Sequence, residues 1–444
     1  MSWLDFFQTT ESTCKSKFGR GIGAKISPDE EALFNKSFQA FEDKKILDAY
    51  EYFLKSLLNF TDSVENKNII LEKTDTQLTF EIYQGLAKIN GVITQESCYA
   101  EVNIVKTVDA SVALKRYILE RNYQFTYINY FSDEAYIKLK LYQDNIALSP
   151  QKIFFPLREL ALNADFDKEH IQSEFKKTPL LDTSHVQKID SFNNTQKKEI
   201  EIKYKSLQGW IVALEEKVLT LPSNDNVGMH SFIYLNFLFK VDYLLSPKFT
   251  LYQELSKKVQ EYFSNENSTI ESKNEEIKHY IATLKKISLE EFKECFYEAK
   301  YTFNPIEKSA YDDIVIFINE SQKKIHWYTN NRYMQVIPTI YNYIALYSLY
   351  NYGMNPLLRE LFHILIEVQN SDFFKEIACE PLYSTSKQSF MKKIIVKRIN
   401  TLVQLHTQKY KNLSFLTQEL NFASMNAFCA SYYALLKNLD FEEA

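Results

Sequence analysis

Only 8 glycines and 10 prolines punctuate this chain of 444 residues, about a third of the roughly 12% that average usage would supply. A polypeptide so poor in turn-makers can seldom reverse by tight turns. It is expected to fold mostly as helices joined by loops rich in Asn, Ser and Asp. The length exceeds what one ordinary core accommodates and predicts two or three domains. Hydrophobic residues at 45% and charged residues at 25% form the usual globular mixture and argue against disorder.

A net charge of −5 and a pI near 5.9 provide no general attraction for nucleic acid or anionic membrane. The opening "MSWLDFFQTTEST" has no basic region and no long apolar run, so no signal peptide is expected. Five scattered cysteines without a Cys-x-x-Cys pair predict reduced, mostly structural thiols in a cytoplasmic setting. The uncharged run 333–358 is long enough to cross a bilayer. Gln335, Pro338, Asn342, Asn351 and Pro356 interrupt it, which predicts a buried core helix and no membrane span.

Along the chain, residues 1–26 read as a flexible arm. Ser27 at the N-cap, Pro28 at the first helical position and Glu30 closing a capping box open a helical hairpin over 27–62. Its apolar stripes are Leu33, Phe34, Phe38 and Phe41, then Ile46, Ala49, Tyr50, Phe53, Leu57 and Phe60. The hydrophobic period then falls to two over 78–93 and 98–106, with Asn90-Gly91 as a turn or bulge signal. A short helix (110–122), a β-hairpin (123–142) and another helix (149–163) follow. This order predicts an α+β domain over 63–171, an antiparallel sheet with flanking helices. The polar stretch 172–197 reads as a linker. Candidate helices near 197–220, 229–245, 249–263, 272–286, 288–300, 308–326, 333–352, 356–370, 386–408 and 413–439 predict a larger all-α domain over 198–444, a bundle or an array of helical hairpins.

With Ala49, Phe53 and Leu57 near the second-helix positions, the first hairpin resembles a single tetratricopeptide unit. The order of elements across roughly 65–165 resembles the fold of type III secretion chaperones and their non-secretory relatives. That resemblance implies a protein without enzymatic activity that binds peptide segments or partner proteins and often dimerises through its mid-domain helix. Here "VALKRYILE" (112–120) would take that place.

The motifs that carry chemistry are sparse. Gly19-x-Gly21-x-Gly23 follows no strand and lacks a Gly-Lys-Ser/Thr, so it reads as a hinge and not as a phosphate cradle. Glu276-x-x-His279 and Glu360-x-x-His363 are each Glu-x-x-His on helices, half of a di-iron signature. His279 lies opposite its helix's apolar stripe, and Glu360, His363 and Glu367 share a polar stripe expected at a solvated or interface edge. Glu360 and His363 remain the metal candidates. No nucleophile elbow or His-Glu-x-x-His is present, and no cofactor is expected.

The hairpin carries the most informative surface. A two-residue turn at Asp133-Glu134 would pair Ile128 with Leu139 and Tyr130 with Ile137. The opposite face would then carry Phe125, Tyr127, Phe131, Tyr136, Lys138, Lys140 and Tyr142. Three readings are open for it: a stacking platform for single-stranded nucleic acid, a docking surface for a partner peptide or helix, or a face covered by the chain's own helices. The acidic balance weighs against nucleic acid, and the long helical half favours covering. The expected function is therefore a non-enzymatic protein–protein interaction module, a chaperone or adaptor for another polypeptide. The alternatives are an enzyme with a helical metal site and a single-strand nucleic-acid binder.

Overall fold

The computed structural model describes residues 16–19, 28–58, 67–145, 149–221 and 227–442, with the side chains of 28–31 left aside. The capping roles expected of Ser27 and Glu30, and Gly21 and Gly23 of the glycine repeat, lie outside the described residues. Two helices, α1 (Pro28–Glu42) and α2 (Ile46–Ser56), form the first hairpin. Leu47, Ala49, Tyr50, Phe53 and Leu54 turn one face of α2 into the core, as their three- and four-residue spacing requires.

A six-stranded antiparallel sheet follows: β1 (Ile69–Lys73), β2 (Leu78–Gln84), β3 (Ala87–Ile93), β4 (Ser97–Lys106), β5 (Ile128–Ser132) and β6 (Tyr136–Asp144), in the order β1-β2-β3-β4-β6-β5. Helix α3 (Val112–Asn122) carries the chain from β4 past the place of β6 to the edge. The turn or bulge expected at Asn90-Gly91 is neither. Both residues lie within β3, and the ring of Phe80 packs where a Cβ on Gly91 would stand, 2.0 Å from Cζ. The reversal falls at Gly85-Leu86, between the paired Gln84 and Ala87, where Gly85 takes the left-handed backbone (φ 54°).

One sheet face is buried against α4 (Pro150–Glu174), whose Leu157, Leu160, Ala161, Ala164 and Ile171 join the core. This helix runs eleven residues beyond its expected end at 163. Pro156 lacks the N–H that would bond the Lys152 carbonyl, and Gln143 Nε2 donates to that carbonyl instead (3.2 Å).

The rest is helical, as expected: α5 (Asn194–Leu219), α6 (Val227–Lys240), α7 (Phe249–Ser264), α8 (Ile270–Leu284), α9 (Leu289–Lys293), α10 (Tyr311–Asn330), α11 (Ile337–Asn351), α12 (Pro356–Gln369), α13 (Ser371–Glu376), α14 (Lys392–His406) and α15 (Met425–Leu436). Helix α11 is the buried helix foreseen in the uncharged run, and α6, α10, α12 and α15 pack around it. Among the described residues no helix is long and apolar enough to cross a membrane. Cys98, Cys295 and Cys429 are free and buried. Cys379 departs from the expectation of reduced thiols, being disulfide-bonded.

Two segments cross between the halves. The helix expected over 288–300 stops at Lys293, and 297–305 runs extended into the sheet domain. Phe303 is buried in that domain's core. Gln84 accepts the N–H groups of Thr302 and Phe303 at its Oε1 (3.0 and 2.8 Å) and returns a bond from Nε2 to the Phe303 carbonyl. The expected linker 172–197 is likewise packed. The Leu181 N–H donates to Ile104 O (3.0 Å), and β7 (Gln187–Lys188) pairs with β8 (Tyr297–Glu298). Lys168, fully buried, donates to the carbonyls of Leu86 (3.2 Å) and Leu181 (2.7 Å). Burial lowers its pKa to about 8, with the charges of Asp182 and Asp165 opposing.

Candidate functional site

The glycine repeat is met by the structure only at Gly19, where it is an anchor. The Gly19 N–H donates to Tyr243 O (2.8 Å) at φ 77°. Phe18, buried, lies 5.2 Å from the His363 ring and 5.1 Å from Phe374.

His363 is engaged on both nitrogens, by the Tyr243 hydroxyl at Nδ1 (2.8 Å) and by Glu367 at Nε2 (3.0 Å). Arg398 from α14 grips the Glu367 carboxylate with both terminal nitrogens. The stripe of Glu360, His363 and Glu367 is thus no solvated edge at its centre: Glu367 is 2% exposed, because α14 and the end of α6 close over it. Burial pushes the Glu367 carboxyl up, but hydrogen bonds from Arg398 and His363 outweigh it and hold the pKa at about 2. Among the described residues no three His, Cys, Asp or Glu side chains gather as metal ligands.

The hairpin pairs two residues further along than the two-residue turn predicts: Ile128 opposite Leu141, Tyr130 opposite Leu139, Ser132 opposite Ile137. Asp133 holds a wider turn, its carboxylate accepting from the N–H groups of Ala135 and Tyr136 (2.9 and 2.6 Å). A shift of two keeps the side-chain alternation, so the faces survive. Tyr127, Phe131, Tyr136 and Tyr142 are 37–64% exposed, so the helical half does not cover this face as expected. Lys140 sits 3.9 Å over the Phe131 ring, and Lys138 pairs with Glu101 (3.1 Å). Phe125 departs from the group: it packs against the core beneath the Arg121 guanidinium, 4.9 Å away.

Beside this corner runs the helix that the resemblance puts in the dimerising place, with an exposed apolar side that the sequence reading did not single out. Helix α3 buries only Leu114 and Ile118. On its far side Val112, Leu119 and the capping Tyr123 are 78, 64 and 92% exposed, and Val108 in the turn before the helix is 84% exposed. At about 100° per residue, Val112, Leu119 and Tyr123 lie within one narrow sector. Beneath them Tyr117 and Tyr130 donate to Asp167 (both 2.7 Å), as does Arg121 Nε (2.8 Å). That carboxylate, wholly buried, locks α3 onto α4 and β5.

A second place also went unread. A cleft of about 280 Å³ opens where α4, the α6–α7 connection and 301–305 meet, lined by Asp165, Glu169, Asp242, Lys248, Tyr301 and Phe166 among others. Backbone outliers surround it. The end of α6 is wound as a π-turn (Val241–Leu245), and Ser246 (φ 51°) and Phe249 (φ 54°) are left-handed. Such features concentrate at functional sites. Asp165 and Glu169 stand one turn apart on α4. Asp165 Oδ1 accepts from the Leu86 N–H (2.7 Å), and Glu169 Oε1 from the Tyr297 hydroxyl (2.7 Å). Burial and the neighbouring Glu169 charge push the Asp165 pKa up, and burial raises that of Glu169. Burial works against the Lys248 charge, but Tyr301 and Glu169 outweigh it and hold the ammonium protonated.

No family model and no curated protein matches this sequence.

Proposed function

We propose that the chain is a protein-interaction module, a cytoplasmic chaperone or adaptor that docks another polypeptide along α3 and the adjoining β5–β6 corner. One observation carries the reading: four large apolar side chains, Val112 and Leu119 on α3, Tyr123 at its C-cap and Val108 in the turn before it, stand 64–92% exposed, and the opposite side of that helix is fastened into the core. Clustered exposed apolar side chains of this kind mark interaction sites, and burying them on a partner would recover roughly 25 cal/mol per Å². The order of helices and strands, which resembles the type III secretion chaperone fold, supports the same reading. A second copy of the chain is one polypeptide that could dock there.

The test is a photo-crosslinking side chain placed at position 119 and, as control, at the still more exposed Leu219 on α5, together with light scattering of the purified chain. Discrete adducts, to a second copy or to another protein, are expected from 119 and not from 219. The pair Val112→Glu and Leu119→Glu should abolish them with Tm nearly unchanged, because both positions are exposed. Equal labelling from both positions, or association surviving the double substitution, would overturn the proposal.

A further inference from the structure

We propose that residues 16–19 are a redox-controlled strap, held against the end of α6 by a disulfide between Cys14 and Cys379 and released when an external dithiol reduces that bond. The strap does not depend on the α3 surface.

The cysteine count identifies the bond. The chain holds five cysteines. Cys98, Cys295 and Cys429 are free and buried, whereas Cys379 is disulfide-bonded. The cysteine that remains is Cys14, outside the described residues and four positions before Phe18. Packing brings the same two places together. The Phe18 ring lies 5.1 Å from that of Phe374, and Phe374 and Cys379 share the turn that ends α13. There Ala378 is left-handed (φ 64°) and the Cys379 N–H donates to Phe374 O (2.8 Å), a helix end of the Schellman kind. Four residues of extended chain reach about 14 Å, enough to carry a sulfur from Phe18 to this turn.

The other thiols take no part. Burial pushes Cys98 up to about 12 and Cys295 up to about 11, and raises Cys429 as well, so none offers a thiolate at neutral pH. Thiol–disulfide exchange is thereby confined to one pair. Cys379 is buried, but Ala378 and Glu380 beside it are exposed, so the bond lies just beneath the surface. In the exchange the dithiol closes its own disulfide while the Cys14–Cys379 bond breaks. Two electrons and two protons pass to the two sulfurs, which become thiols.

Release would act on the junction of the two halves. Gly19 lines both the cleft beside Lys248 and a smaller cavity bounded by Asp242, Tyr243 and Arg359. The bond keeps Phe18 beside its seat of Tyr243, His363 and Phe374 at high effective concentration. Without it, the Phe18 ring and the Gly19 hydrogen bond must offset the cost of ordering these residues. The reduced strap lifts, bares the aromatic seat and removes a wall common to both cavities.

The full chain, equilibrated in air and then treated with dithiothreitol, provides the test. Peptide mapping without reductant should give one linked pair, Cys14 with Cys379. Three thiols should titrate in denaturant before reduction and all five after it. Hydrogen exchange at the Gly19 amide should quicken at least tenfold on reduction, while the amides of α11 keep their protection. Cys14→Ser and Cys379→Ser should show the fast exchange with no reductant present. If neither variant folds, the oxidised and reduced parent still decide the question. A linked pair other than Cys14 with Cys379, five thiols in the air-equilibrated chain, or Gly19 exchange unchanged by reduction would overturn the proposal.

Discussion

Asp167 ties three elements together through one side chain, accepting from Tyr117, Arg121 and Tyr130 with no exposure to water. Replacing it with Ala would leave the Arg121 guanidinium without its carboxylate under the α3 surface, with only the amide oxygens of Gln124 and Asn163, and would orphan two phenolic hydroxyls. Losing one partner of a buried ion pair costs about 3–5 kcal/mol, so Asp167→Ala should lower the denaturation midpoint markedly, as urea unfolding would show. Asp165 behaves in the opposite way. Its pKa, raised to about 8 by burial and by Glu169, exceeds the ordinary value of about 4. Between those values the folded state holds a proton that the unfolded state has released. Stability therefore falls as pH rises through this window and stays reduced above it. Asp165→Asn keeps the acceptor for the Leu86 N–H and removes the titration. Its Tm should exceed the parent's at pH 8, with the difference vanishing near pH 4. Neither residue was legible in the sequence as part of a site. The helix was expected to end at 163, short of both carboxylates, so the one-turn spacing of Asp165 and Glu169 could not be read. Lys248 and Tyr301 reach the same cleft from positions 53 residues apart.

At the scale of elements, periodicity carried most of the assignment. The buried α11, the strands β2, β3, β4 and β6 and nearly all the long helices lie where apolar spacing placed them, since side-chain alternation and helical stripes follow directly from burial on one side. What failed was local chemistry overridden by packing. Asn90-Gly91 has the residues of a turn, but Gly91 is small because Phe80 needs its space. Short β1 (Ile69–Lys73) lies outside the strand pattern that was read, and only two of its five residues look inward even in part, Ile69 and Leu71. The hairpin register slipped by two because Asp133 caps a wider turn, and parity alone preserved its faces. The α3 stripe was not singled out for a different reason: a short helix with apolar residues on several sides does not say which of them face inward, and only the fold shows that Leu114 and Ile118 take that role.

For the whole molecule, most of the helices foreseen after residue 197 are present, with those expected over 288–300 and 413–439 cut short to Leu289–Lys293 and Met425–Leu436, but the division into halves is not a clean cut. The polar composition of 172–197 signals a linker, and the aromatic-containing 297–305 signals nothing about its destination. The structure sends both across the boundary. Phe303 completes the sheet domain's core, and the Thr302 and Phe303 backbone is satisfied by Gln84. Arg158 of α4 in turn donates to the carbonyls of Asn304 (3.1 Å) and Pro305 (3.0 Å). A sheet domain cut out at the apparent linker would lack an aromatic core residue and expose Gln84, a side chain 1% exposed in the intact chain. Truncating a buried Phe to Ala costs about 3–5 kcal/mol, and excising the whole segment removes its hydrogen bonds as well. The fragment 28–193 should therefore unfold at lower urea than the sheet domain does in the full chain. A synthetic peptide of residues 296–308 should raise its midpoint, whereas the same peptide with Phe303→Ala should not. In the full chain Phe303→Ala should lower the midpoint without splitting the transition, provided the two halves unfold together. A fragment as stable alone as within the chain, and indifferent to the peptide, would mean that the crossing segment decorates two independent domains instead of joining them.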